Sequence, residues 1–391
     1  MIYLDYNATT PLCEAAREAM RPYLERHWGN PSSVHAAGRE ARAAIDDARD
    51  QLASLLRAKP HELIFTGSGT ESNNLAILGL ARAHAQRGRH LICGATEHHA
   101  VLHAFEHLQK REGFDVTFLP VDHTGRIDPD TVSAALRPDT TLVSIMAANN
   151  ETGVVQPLHE IAARCERRGV LLHSDMVQSF AKMPTHLSDH GVAAASFAAH
   201  KFYGPKGVGF LYLRAGLPIE SIQFGGAHEN QRRPGTENVP AIAGMAAAAA
   251  WALRAFEGEA ERERQLRDEL AERIAAISPE AERNGDPAHS LANTLNLSFS
   301  DIESETMLMA LDLEGVCASS GSACMVGSVV ASHVLLAMGM SAGRAGSAIR
   351  FSLGQQTTAA EVEATGAAVK RVIDRLRSVQ TNARRPEYVA R

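Results

Sequence analysis

The stretch "PLHEIAARCERRGVLLHSD", residues 157–175, decides the fold. Its first part, to residue 168, has the amphipathic spacing of a helix, and with no linker it runs into "GVLLHSD" (169–175), a short apolar run ending on an acid. A helix feeding directly into a buried strand is the repeating unit of a parallel α/β sheet, whose strands are covered on both faces. Working outward, "ELIFTG" (62–67), "HLICGA" (90–95), "DVTFLPV" (115–121), "TLVSIMAAN" (141–149) and "GVGFLYL" (207–213) repeat the strand form, and "TESNNLAILGLARAHAQR" (70–87) the helical one. The pattern predicts a large, mainly parallel α/β domain over residues 13–255. Beyond it come a long Ala/Glu/Arg-rich helix (238–277), a strand "NTLNLSF" (293–299), a helix (303–314), a strand "IRFSLG" (349–354) and a terminal helix (358–378). These predict a smaller α+β domain made of residues 1–12 and 256–391, against which a first helix near 13–27 can also pack. Two domains suit a chain of 391 residues. There is no internal repeat, and "TNARRPEYVAR" (381–391) is expected to fray.

Bulk properties exclude several function classes. A formal net charge of −6 offers no basic footprint, so no nucleic-acid partner is expected. The longest apolar stretch, "PAIAGMAAAAAWAL" (240–253), is shorter than the roughly 20 residues of a membrane span, so no membrane association is expected either. The start, "MIYLDYNATTP", has no basic segment followed by an apolar one, and a cytoplasmic location is expected. Five cysteines without a C-x-x-C pair read as reduced thiols.

Only six of the 39 basic residues are lysines, so lysine's distinctive chemistry can be sought at few positions. Lys201, in "SFAAHKFYGPKG" (196–207), follows a short apolar run and precedes a Gly/Pro turn. It is either a surface lysine at a turn or an amine at a strand end aimed into a cleft, where imine formation is a function arginine cannot imitate. Asp175 closes "GVLLHSD" at the carboxyl edge of the predicted sheet, where ligands of open α/β folds gather; alone it serves equally as a helix cap. The turn "TGSGTESNN" (66–74) offers free backbone N–H groups and a helix dipole for a phosphate, a weak signal by itself. An imine-forming lysine, a carboxylate for a pyridine nitrogen and a phosphate cradle at strand ends together point to pyridoxal phosphate (PLP). One more stretch stands apart: "SSGSACMVGS" (319–328) sets Cys324 among small residues, an unusual setting for a packed cysteine.

With these residues in view the chain resembles the NifS/IscS-type cysteine desulfurases, which are fold-type I PLP enzymes. The resemblance is carried by "YLDYNATTP" (3–11), "GNPSSVH" (29–35), "TEHHAVL" (96–102), "NNETGVVQP" (149–157), "HKFYGPKGVGFLYLR" (200–214), "RRPGTENV" (232–239), "SSGSAC" (319–324) and "IRFSLG" (349–354). It implies that Lys201 holds PLP through its amine, Asp175 pairs with the pyridine nitrogen and Gln178 bonds the ring's phenolic oxygen. It implies that Gly69, Thr70 and His200 serve the phosphate, while His98 stacks on the ring and moves protons. Asn150, which would also touch the cofactor, and Arg350 would hold the substrate carboxylate, and Thr236 would reach the phosphate of the other subunit of a homodimer. Cys324 would take sulfur from L-cysteine as a persulfide, leaving L-alanine, and pass it to a sulfur-acceptor protein such as an iron–sulfur scaffold. The small residues around Cys324 would act as a hinge carrying it between cofactor and acceptor.

Two departures from the family pattern stand in the sequence. Ala198 occupies the place of a phosphate-binding serine, and Met325 to Ser332 replace a run that in relatives carries an acid and a proline. No metal site is expected: Cys324 is the one position for a transient iron–sulfur contact, and His99, His103 and His107, four apart, read as a solvated helix face. Cys93 and Cys165 are expected to be packed. An aminotransferase, a selenocysteine-selective lyase and a non-catalytic assembly scaffold are the competing functions.

Overall fold

In the computed structural model, residues 1–320 and 331–383 are described. Cys324 and most of its predicted hinge lie outside the described residues. The strands are β1 (Ile2–Tyr3), β2 (Leu63–Thr66), β3 (His90–Gly94), β4 (Asp115–Leu119), β5 (Thr140–Ser144), β6 (Leu171–Asp175), β7 (Ala194–Ala198), β8 (Gly209–Leu213), β9 (Glu282–Arg283), β10 (Thr294–Ser298), β11 (Val316–Cys317) and β12 (Ala348–Ser352). Seven of them form one sheet in the order β2-β8-β7-β6-β5-β3-β4. Strand β8 runs antiparallel to β2 and β7, and every other pairing is parallel.

The stretch 157–175 folds as its pattern predicts: Leu158–Arg167 is a helix that buries Leu158, Ile161, Ala162 and Cys165 on one face. It leads into β6, whose five residues are all buried. A central strand covered on both faces must satisfy any polar side chain internally. His173 does so by bridging strands, with Nδ1 2.8 Å from the Ser144 hydroxyl of β5 and Nε2 3.0 Å from the Ser196 hydroxyl of β7. Burial holds its imidazole down at about 3, so it stays neutral.

The predicted strand over 141–149 is shorter than expected and ends at Ser144, because the chain leaves the sheet there to form a turn around Asn149. Asn149 Oδ1 accepts from the backbone of Glu151 and Thr152, and Gly153 closes the turn at φ +78° with Thr294 packed against it.

Two apolar clusters cover the large sheet, one including Phe197, Phe202 and Phe210 and the other Leu75, Phe105 and Leu211. A third cluster joins Leu295, Phe351 and Val372 around β10 and β12, which pair antiparallel with β9 on the outer side of β10. The helix Val239–Ile277 is common to two clusters: Ile242, Met245 and Ala249 pack with the large sheet, and Leu266, Leu270 and Ile274 with the small one. Its window Val239–Phe256 is, by length and composition, apolar enough to cross a membrane, although the sequence stretch 240–253 falls short of that; half of the window is buried in this fold. The helix Glu14–Glu25 packs with the large core through Ala16 rather than with the small one, which corrects the expectation that it also joins the smaller domain. The helix Ala36–Leu56, absent from the sequence expectations, packs on the same core through Ile45 and Leu52.

Candidate active site

The carboxyl ends of the parallel strands open into one cleft of about 370 Å³. Asp175 is the last residue of β6, and Lys201 closes a single 3-10 turn (Ala199–Lys201) directly after β7. Gly69 begins the helix Gly69–Ala83 after β2, and His98 caps the helix His99–Glu112 after β3. Arg350 comes from β12 of the smaller sheet. Gly69, Thr70, His98, Asn150, Asp175, Gln178, His200, Lys201 and Arg350 all line this cleft. Thr236 does not: it is exposed on the segment before the long helix, beside Glu237, which pairs with Arg42 at 2.9 Å.

Asp175 is buried and its two oxygens are held separately, Oδ2 by the Asn73 amide at 2.7 Å and Oδ1 by the Val177 N–H at 2.9 Å. The Lys201 ammonium donates to the carbonyl oxygens of Asn7 (2.6 Å) and Ala8 (2.8 Å). Burial, and after it the charge of Arg350, bring this amine down to about 8. Near neutral pH it can therefore give up a proton far more readily than an ordinary lysine. His200 lies at 3.2 Å from the Thr9 hydroxyl, and burial followed by the charge of Lys201 pushes its imidazole down to about 4. His98 accepts the Ala100 N–H through Nδ1 at 3.1 Å, which leaves Nε2 as its proton-carrying nitrogen in the neutral ring. Its ring faces the open cleft with protein on the remaining sides, and that burial lowers its titration.

Arg350 Nη2 pairs with Asp5 Oδ1 at 2.7 Å and Nη1 donates to the Asn150 carbonyl at 2.9 Å. Its Nε and the Oδ1 of Asn73 are buried polar atoms at the cleft with no partner among the described residues. Such atoms are costly to bury and mark where a ligand completes the bonding. At Gly69 an added Cβ would meet Val177 Cγ2 at 2.8 Å, so the turn packs against the cleft-lining Val177 closer than any side chain would allow. Ser68 caps the helix by accepting the Glu71 N–H at 3.1 Å, which leaves the N–H groups of the first turn facing an anion site.

Asn73, Asn7, Asp5 and Lys182 belong to this machinery and were not singled out by the sequence. Asn73 lies inside the quoted turn "TGSGTESNN", one helical turn beyond Gly69, and Asp5 and Asn7 lie in "YLDYNATTP". The four-apart histidines divide: the His99 and His103 rings are 5.1 Å apart, His99 also packs on His333 at 4.6 Å, and His107 turns to Glu112 at 3.2 Å. Among the described residues no group of three His, Cys, Asp or Glu side chains is arranged to hold a metal ion. Cys93 and Cys165 are buried as expected, and burial pushes the Cys165 thiol up to about 12.

An α/β sheet with lysine, aspartate and a helix terminus at its strand ends defines a class, and residues 2–365 match the family model described as aminotransferase class-V. The chain belongs to that family. Within it, the chain is 45% identical over 378 residues to the cysteine desulfurase IscS of Dictyoglomus turgidum, covering 97% of this chain and 96% of the relative. Its fold superposes on a solved "NifS-like protein" with a TM-score of 0.90 at 35% identity, over 95% of this chain and 99% of the other. A second solved structure, described as SspA in complex with cysteine, matches at a TM-score of 0.80 and 34% identity, over 90% of this chain and 99% of that one.

The residues present fit PLP. An amine of lowered basicity, a buried carboxylate, an imidazole and an anion-binding helix terminus are the four groups its aldehyde, pyridine nitrogen, ring face and phosphate require. Lys201, Asp175, His98 and the Gly69–Thr70 turn supply them.

Proposed function

We propose that this protein is a PLP-dependent cysteine desulfurase that releases L-alanine from L-cysteine and keeps the sulfur as a persulfide on Cys324. The observation that carries this is the convergence of Lys201, Asp175, the Gly69 turn and Arg350 on one cleft, in a chain of this family. PLP, when bound, supplies an electron sink that weakens the bonds to the substrate's Cα and Cβ. The chain's own groups do the rest. Arg350, through the edge it does not spend on Asp5 and Asn150, takes the substrate carboxylate. Lys201, with its amine held near neutrality, removes the proton from Cα and returns one to the product. His98, neutral and open to the cleft, takes the thiol proton and hands it on. The Cys324 thiolate attacks the substrate sulfur: one S–S bond forms, the Cβ–S bond breaks, and the electron pair left on carbon ends as a C–H bond of alanine.

Three further elements belong to this proposal. A sulfur-acceptor protein, such as an iron–sulfur scaffold, discharges the persulfide, since the sulfur has no further use on the enzyme. The protein works as a homodimer. Supporting this, Trp28, Val34 and Phe224 stand 81%, 89% and 95% exposed, and a hydrogen bond of 3.1 Å from Ser32 to His228 ties their two loops together. So much exposed apolar surface suits a second copy of the chain, and Thr236, a short distance along the same segment, would reach the neighbouring cleft.

The test is incubation with L-cysteine, following alanine release and protein-bound persulfide in wild type and Cys324→Ala. Persulfide formed only in wild type supports the assignment. Alanine and persulfide unchanged in Cys324→Ala overturn the role of Cys324, and a colourless wild type that binds no PLP overturns the enzyme. Light scattering decides the dimer, and mixed dimers of Thr236→Ala with Lys201→Ala chains decide whether the clefts are shared.

A further inference from the structure

Behind the cleft lies a second, smaller cavity of about 20 Å³, room for about one water molecule. Lys201 borders both spaces. Lys182 and Glu263 border only the rear one. Lys182 Nζ donates to Gln178 Oε1 at 2.8 Å and to Asn7 Oδ1 at 3.0 Å. Gln178 in turn donates through Nε2 to the Asn7 carbonyl at 2.9 Å, the oxygen that also accepts from Lys201.

A primary amide has a donor end and an acceptor end of nearly equal shape, so its direction is set by its neighbours. An ammonium can only donate. With Lys182 on Oε1, the NH2 group of Gln178 must face the cleft, where one hydrogen serves Asn7 and the other is left for a ligand. We propose that Lys182 is a positioning residue for the site: from behind it fixes the Gln178 amide with its donor end toward the cleft, and through the Asn7 side chain braces the residue whose backbone carbonyl holds Lys201. The only part that rests on the desulfurase proposal is the identity of the oxygen Gln178 would meet, the phenolic oxygen of PLP.

The groups facing Lys182 are Lys201, Arg350 and Glu263, with Glu259, Tyr6 and Tyr203 around the same cavity. Burial and the neighbouring Lys201 bring the Lys182 amine down to about 7, and burial raises Glu263 to about 7; as ammonium or as amine, Lys182 has the two hydrogens it donates to Gln178 and Asn7. Arg262, from the same helix as Glu263, also faces that carboxyl and lowers it.

The experiment compares wild type, Lys182→Met, Lys182→Gln and Lys182→Arg with Gln178→Leu. In the apoprotein, Lys201 is labelled with an amine reagent across pH and its peptide read by mass spectrometry. With Asn7 no longer braced, its carbonyl holds the Lys201 ammonium less well, so the half-labelling pH should fall by about half a unit to one unit in Lys182→Met. In the PLP-loaded protein the visible band is titrated. Loss of a donor to an anionic oxygen disfavours the deprotonated form, so the midpoint should move up by about one unit in Lys182→Met, as in Gln178→Leu. Lys182→Arg, donor-only and with the rear cavity to receive its extra atoms, should keep the wild-type midpoints. A folded Lys182→Met with both midpoints unchanged overturns the proposal. An atomic-resolution or neutron structure of the wild type needs no variant: a Gln178 NH2 group facing Lys182 overturns it as well. If wild type itself shows no PLP band, the desulfurase proposal fails, and the labelling arm still decides the role of Lys182.

Discussion

Arg350→Lys keeps the charge at the mouth of the small sheet and removes the geometry. The guanidinium spends one nitrogen on Asp5 at 2.7 Å and one on the Asn150 carbonyl at 2.9 Å, and its buried Nε has no partner among the described residues. A lysine ammonium is a single point and cannot hold Asp5 and a substrate carboxylate with the same fork. One charge-assisted hydrogen bond is worth about 1.5–3 kcal/mol. At about 1.4 kcal/mol per factor of ten, kcat/KM for L-cysteine should fall roughly ten- to hundredfold. The carboxylate is held alike before and during the reaction, so most of the loss should appear in KM rather than kcat. Initial rates of alanine release across cysteine concentration measure it. A KM within about twofold of wild type would refute the assignment of Arg350 to the carboxylate. The same result would leave Arg350 as a strut for Asp5.

Three other outcomes follow from single sites. The Lys201 amine lies near 8 in the fold and at 10.5 in an ordinary chain, so the unfolded state binds the extra proton between these values. Stability of the apoprotein should then increase with pH across that window, by about 3 kcal/mol in total, and Lys201→Met should flatten the rise in denaturant titrations. Ala198→Ser places a hydroxyl on a cleft-lining position against the Gly69 turn, and should tighten PLP binding about tenfold if it adds one hydrogen bond to the phosphate; unchanged PLP affinity would show that the place is already served by other donors. Ala181, just before Lys182, has φ of +58°, a conformation that costs an L-residue with a Cβ. Ala181→Gly should therefore stabilise the protein by about 0.5–1 kcal/mol in thermal unfolding, the relief exceeding glycine's entropic cost.

The sheet was legible because its strands are short apolar runs with almost no polar interruption. β6 is a clear case, since even His173 hides its polarity by bonding to serines on both neighbouring strands. Lys201, Asp175 and the Gly69 turn were legible because each sits at the carboxyl end of such a run. The groups behind them were not. Asn73, Asn7 and Lys182 act through contacts across roughly 100 to 170 positions, such as Asn73 to Asp175 and Lys182 to Asn7, and local spacing carries no trace of that. The seat of the first helix was misjudged for a related reason: Ala16 looks like any amphipathic residue until the core it shares with Ile242 is seen.

The strand order has a consequence for how the protein is made. The turn that receives phosphate follows β2, yet among the described residues β2 pairs only with β8, some 140 residues later in the chain. The amine's carbonyl partners in residues 7 and 8 are anchored later still, through the Asn7 N–H on Ser352, the Asp5–Arg350 pair and the register of Ile2 with Val316. A ribosome delivering this chain from its amino end therefore completes the strand ladder around residue 213 and locks the amine's support only past residue 350. Vitamin loading is thus a late event in biogenesis, and nascent chains that stall before that point should remain colourless and open to proteases.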